Sequence, residues 1–129
     1  MTQEEMKMRT KQFALRVIRL VESLPNGKAA NVIGNQLLRS GTSVGANYRA
    51  SCRAKSTADF VHKLSIVEEE ADESIYWMEL LIEGEIIKEK LLENLMNEAD
   101  QILSIIVSSI KTVKEKRNPK SQISNLKSI

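Results

Sequence analysis

From Phe60 onward the residues Phe60, Leu64, Val67, Ala71, Ser74, Met78 and Leu81 follow one another at steps of 4, 3, 4, 3, 4 and 3. Such an alternation keeps all seven on one stripe of an α-helix for about six turns, and it is the repeat by which helices pack side by side in left-handed bundles. A β-strand cannot use it, because successive side chains of a strand point to opposite faces. Ile75, Trp77 and Ile82 flank the stripe and widen it, Glu68, Glu69, Glu70, Asp72 and Glu73 crowd the rest of its middle, and Gly84 is the expected stop. A helix with one apolar stripe needs partners to cover it.

Three more helices read around this one. The first runs from about Gln3 to Ser23, where Met6, Phe13, Val17, Leu20, Val21 and Leu24 recur at helical steps, and Leu24-Pro25-Asn26-Gly27 ends it. The second starts between Lys28 and Asn31 and follows Ile33, Leu37, Gly41, Val44, Tyr48 and Cys52. Its middle is small: Ser40, Gly41, Thr42, Ser43, Gly45 and Ala46. Two glycines inside a helix cost about 1 kcal/mol each relative to alanine, so something offsets that cost. Close approach by a neighbouring helix would do so; room for a ligand, or a kink, is the alternative. Lys55-Ser56-Thr57-Ala58-Asp59 then reads as a capping box, with Ser56 capping the seam helix and Asp59 answering toward the Ser56 amide.

The fourth helix spans about Lys88 to Arg117 and carries Leu91, Leu92, Leu95, Met96, Ala99, Ile102, Leu103, Ile105, Ile106, Val107, Ile110 and Val113. These residues cover more than one stripe, which means either a thick core contact or a subunit interface. Asn118-Pro119 ends the helix. The expected fold class is all-α, an up-down-up-down antiparallel four-helix bundle over residues 1–117, followed by a polar C-terminal tail at 118–129. Two prolines, five glycines and 4% aromatic residues agree with helices rather than sheet.

Several function classes drop out. The one cysteine, Cys52, cannot form an internal disulfide, and Met1 to Leu20 is interrupted by Lys7, Arg9, Lys11, Arg16 and Arg19, so no signal-peptide apolar region is present and a cytoplasmic location is expected. No apolar run approaches the roughly 20 residues of a membrane span. A carboxylate-bridged metal site in a bundle takes two Glu-x-x-His pairs, and His62 is the chain's one histidine. Cys52 therefore has no evident base partner. The expectation is no catalytic residue, no metal and no cofactor.

Charge carries the remaining signal. Residues 1–63 hold 11 Lys/Arg against 4 Asp/Glu, residues 64–100 hold 2 against 12, and residues 101–129 hold 6 against 1. Up-down connectivity gathers the distant basic stretches at one pole: Lys7, Arg9 and Lys11 from the first helix, Arg49, Arg53 and Lys55 from the end of the second, Lys63 from the third, and Lys111, Lys114 and Arg117 from the fourth. Glu79, Glu83, Glu85, Glu89 and Glu93 go to the other pole. A basic pole suits nucleic-acid phosphates, since clustered Lys and Arg displace counterions; it also suits an acidic protein partner or a second subunit. The few aromatic residues read as core, which points to backbone rather than base recognition.

Gln36-Leu37-Leu38-Arg39, Ser43, Asn47, Arg53, Ser56, Asp59-Phe60 and Leu64, with Asn47-Tyr48-Arg49-Ala50 and Tyr76-Trp77-Met78-Glu79-Leu80-Leu81, resemble the bacterial four-helix-bundle family of 23S ribosomal RNA intervening-sequence proteins. The resemblance covers about residues 10–115. It implies an up-down bundle, often assembled as a homopentamer, and a relationship to the basic, nucleic-acid-binding accessory variability protein of diversity-generating retroelements. It implies no catalytic residue, and the acidic middle of this chain departs from that accessory protein.

Overall fold

In the computed structural model, which describes residues 1–117 and side chains through Lys116, the chain forms helices α1 (Gln3–Glu22), α2 (Lys28–Ser51), α3 (Thr57–Glu83) and α4 (Glu89–Arg117). The tail expected at 118–129 lies outside the described residues. Each start has a local cause. The Thr2 hydroxyl accepts from the Glu5 amide at 3.1 Å to cap α1, and the Ser56 hydroxyl accepts from the Asp59 amide at 3.0 Å to cap α3. The reciprocal arm differs from expectation: Asp59 Oδ2 accepts from the Lys55 amide at 3.1 Å, one residue before the cap. Its carboxylate thereby joins the α2–α3 connection to the first turn of α3.

Gly84 does stop α3, but for reasons of space. Its φ is −79°, and the residue in the left-handed region is Glu85 at φ 57°. A Cβ on Gly84 would lie 2.8 Å from the Leu80 carbonyl oxygen. The amides of Ile86 and Ile87 turn back to the Leu81 carbonyl at 2.9 and 3.1 Å, satisfying a carbonyl that the helix end would otherwise orphan.

The seam of α3 is buried at Leu64, Val67, Ala71, Ser74, Met78 and Leu81. Its first member differs in degree: Phe60 packs against the core but is half-buried, and Val61 beside it is buried. Facing it are Met6, Phe13 and Val17 of α1, Leu37, Val44 and Tyr48 of α2, and Leu92, Leu95, Ala99, Ile102 and Ile106 of α4. Full burial of a large aliphatic or aromatic side chain contributes about 1.5–3 kcal/mol, so this cluster dominates stability. The core uses one stripe of α4. Met96, Leu103, Ile105 and Ile110 are half-buried beside it, and Leu91 and Val107 are exposed.

Neighbours in sequence are neighbours in space: α1 packs on α2, α2 on α3 and α3 on α4, while α1 and α4 close the ring over the shortest contact. The α1–α2 registers run in opposite senses, Thr10 against Gly45, Val17 against Gly41 and Leu24 against Gly34. Gln3, Ser51, Cys52, Ser56, Phe60 and Val113 line one depression, which brings the start of α1, the end of α2, the start of α3 and the last turns of α4 to one end. Among the described residues no helix is long and apolar enough to cross a membrane.

The small residues of α2 are occupied by close packing. A Cβ on Gly41 would lie 2.9 Å from both methyl carbons of Val17, and one on Gly45 would lie 3.3 Å from the backbone carbonyl of Thr10. Thr10 is itself buried, its hydroxyl turned back to the Met6 carbonyl at 2.9 Å. On the other flank, the buried Ser40 and Ser74 hydroxyls share a hydrogen bond at 3.0 Å between α2 and α3. Gly41→Ala is therefore expected to lose about 1 kcal/mol in urea unfolding, overpacking of about 1–3 kcal/mol outweighing a helix-propensity gain of about 1 kcal/mol. In the double variant with Val17→Ala the total loss should fall short of the sum of the two single losses, because the second change relieves the first.

Candidate nucleic-acid interface

The ten cations assigned to the basic pole do not all remain available there. Arg9 is committed inside the bundle: its Nε donates to Glu98 Oε2 at 2.8 Å, and its Nη2 donates to Glu98 Oε1 and to Gln101 Oε1, each at 2.7 Å. This fork joins α1 to α4, the adjacent pair of helices in least contact. The hydrogen bond it donates to Glu98 raises the guanidinium pKa above its ordinary value. Lys63 donates to Asp59 Oδ2 at 3.0 Å, and that bond, with the Lys55 amide second, holds the Asp59 carboxyl below its usual range. Lys7 donates to Glu4 Oε1 at 3.0 Å.

Lys11, Arg49, Arg53, Lys55, Lys111 and Lys114 are exposed, and none of the salt bridges among the described residues uses them. Arg117 closes α4. Position on the helix explains this division in part. Arg9 lies on the flank of α1 that turns toward α4, within reach of a carboxylate, whereas Lys11 and Arg49 are exposed on the outer flanks.

Two concavities lie at or beside this pole. The larger, about 460 Å3, runs between the outer flanks of α1 and α2 and is lined by Glu4, Lys7, Met8, Lys11 and Ala14 on one wall and Thr42, Gly45, Ala46 and Arg49 on the other. It exists because α1 and α2 approach closely at Gly45 while the outward residues beside that contact are too small to fill the space. Close packing and room for a ligand, alternatives at the sequence level, are here two sides of the same run of small residues. The α1 wall, with Met8 and Ala14, is the part that sequence reasoning missed. Its signal is the helical spacing of Lys7, Lys11 and Ala14 opposite Thr42, Ala46 and Arg49.

The smaller concavity, about 320 Å3, lies at the end of the bundle and includes Cys52, Lys55 and Phe60. Beside it Tyr48 is 8% exposed, and burial, with Cys52 as a second cause, pushes its phenol up to about 12. The acidic residues of the middle of α3 are elsewhere. Glu69, Asp72, Glu79 and Glu83 lie with Tyr76 along the exposed flank of α3, while Glu70 and Glu73 are bridged by Arg39 of α2. Among the described residues no three His, Cys, Asp or Glu side chains converge. What the pole offers is a set of fixed positive charges beside a groove with a small, largely aliphatic floor, suited to holding an anion in place.

A model of the 23S rRNA-intervening sequence protein family matches residues 3–108. The fold is similar to the crystal structure of a protein of unknown function from the S23 ribosomal protein family of Bacteroides thetaiotaomicron, with a TM-score of 0.80 and 40% sequence identity over 86% of this chain and 99% of that one. No curated protein matches.

The Tyr48 shift has a sign that can be measured. Its folded pKa lies above the unfolded value of 10.0, so the neutral phenol contributes stability that is complete below about pH 10 and is lost as pH rises toward 12. Chemical unfolding followed from pH 9 to 12 should show this alkaline loss, and Tyr48→Phe should remove its tyrosine component.

Proposed function

Because the chain belongs to the 23S rRNA-intervening sequence protein family, we propose that it is a non-enzymatic, oligomeric helical bundle that binds RNA or DNA phosphates through its basic pole. The observation that carries this reading is the set of exposed cations Lys11, Arg49, Arg53, Lys55, Lys111 and Lys114, which come from different elements and enter none of the salt bridges among the described residues. A protein that needed these charges only for its own stability would pair them, as it pairs Arg9. Exposed apolar residues on the outside of the bundle, Leu91 and Val107 on α4 and Met8, Leu15 and Ile18 on α1, favour assembly with further copies. A cytoplasmic setting suits the free Cys52.

A second reading is supported by the acidic flank of α3. Glu69, Asp72, Glu79 and Glu83 around the exposed Tyr76 form a surface complementary in charge to the pole, so the protein would act as a scaffold in which the same cations meet a neighbouring subunit or an acidic partner. Salt separates the two, since an assembly held by charge dissociates as salt rises and one held by apolar contact does not.

Anisotropy of labelled RNA and DNA titrated with the protein across a salt series should show affinity falling steeply with salt. Arg53→Glu with Lys114→Glu should weaken binding by about tenfold or more. No binding at low salt, or an affinity untouched by the double variant, would overturn the reading.

A further inference from the structure

We infer that the groove between α1 and α2 seats a single nucleic-acid strand, with phosphates on Lys7, Lys11 and Arg49 and base surfaces against Met8, Ala14 and Ala46. This inference rests on the phosphate-binding reading of the pole and names the form of nucleic acid and the place it lies. Three features of the groove support it. First, it is concave. Two helices packed with axes about 8–10 Å apart leave an outer furrow that one strand can enter, whereas a duplex is itself convex and presents its helix axis far above the floor. A duplex could meet the rim cations but would leave the furrow empty.

Second, its cations stand on both walls. Lys7 and Lys11 are one helical turn apart on α1, a rise of about 6 Å, and Arg49 faces them from α2. Successive phosphates of an extended strand can therefore be met in sequence along one wall and from the side by the other. Third, the floor between those cations is aliphatic: Met8 is 67% exposed, and Gly45, Ala46 and Ala14 offer no polar side chain. A site for free phosphate gains nothing from such a floor. A strand does, because its unpaired bases carry apolar faces that a duplex hides in its stack. With aliphatic groups in place of aromatic platforms, the contact has little preference for one base over another.

Glu4 has a defined part in this arrangement. It lines the same groove and holds Lys7 at 3.0 Å while itself remaining largely exposed, so an incoming phosphate competes with it for the lysine. Removing its charge frees Lys7 for the strand.

The test uses the full chain with a fluorescent single-stranded RNA and a duplex of the same length and sequence. The single strand should bind more tightly. Its log affinity should fall steeply against log salt, with the three groove cations accounting for about −2 of the slope at about 0.7 each and the cations of the pole adding to it. Ala46→Glu, at an exposed helical position that fills and charges the floor, and Lys11→Gln should each weaken single-strand binding by about fivefold or more with helicity by circular dichroism unchanged; Glu4→Gln should strengthen it about twofold. A wild-type protein that binds nucleic acid but prefers the duplex, or whose single-strand affinity survives Ala46→Glu and Lys11→Gln while Arg53→Glu with Lys114→Glu abolishes it, would overturn the groove and leave the pole standing. Polyglutamate that displaces the strand at matched charge concentration would reassign the groove to an acidic protein partner. A wild-type protein that binds neither probe at low salt would remove the underlying reading itself.

Discussion

The close approach of α1 to α2 is the constraint on which the rest of this bundle depends. Val17 sits where a Cβ on Gly41 would be, and the Thr10 carbonyl sits against Gly45, so the two backbones come nearer than ordinary side chains would permit. Helix propensity opposes both glycines; packing outweighs it, because a methyl group at either position would have to displace either the Val17 side chain or a stretch of backbone. Once that distance is set, Met6, Phe13 and Val17 can reach the seam of α3, and the outer flanks of α1 and α2 are left with a furrow that their small residues do not fill. Core and groove are products of the same contact.

Polar groups between the helices are placed where they specify which helices meet. The Ser40–Ser74 hydrogen bond and the bridge from Arg39 to Glu70 and Glu73 fix α3 against α2, and the Arg9–Glu98 fork fixes α4 against α1. A partly exposed ion pair contributes little net stability, and its larger effect is on register, since a slipped helix would strand a charge or a hydroxyl away from its partner. The same internal pairing determines which charges are left over. Lys7, Arg9 and Lys63 each meet a carboxylate, and none of the salt bridges among the described residues uses Lys11, Arg49, Arg53, Lys55, Lys111 or Lys114.

Much of the fold was legible before any coordinates. The 4-3 spacing from Leu64 to Leu81, the proline and Asn-Gly stop after Leu24, and the cap at Ser56 each rest on interactions within a few residues, and each matches the structure to within a residue or two. The departures occur where the chain meets something distant. Phe60 packs against the core but is only half-buried because the bundle ends there, Asp59 turns to the Lys55 amide because the α2–α3 connection passes beside it, and Gly84 is needed for space above the Leu80 carbonyl rather than for a left-handed dihedral. The candidate site was legible as a list of charges and less so as a place. Nothing local in the sequence distinguishes Arg9 from Lys11, and only the flank each presents to α4 does.

By itself, then, the sequence determined four helices, their ends and the stripes that α1, α2 and α3 bury, since periodicity, capping and short connections act over a few residues. The tertiary structure decided which cations remain unpaired, that the small residues of α2 serve both a tight contact and a groove, and that one stripe of α4 suffices for the core. Those outcomes depend on distances between residues as far apart in the chain as Arg9 and Glu98, and such distances exist only once the helices have packed.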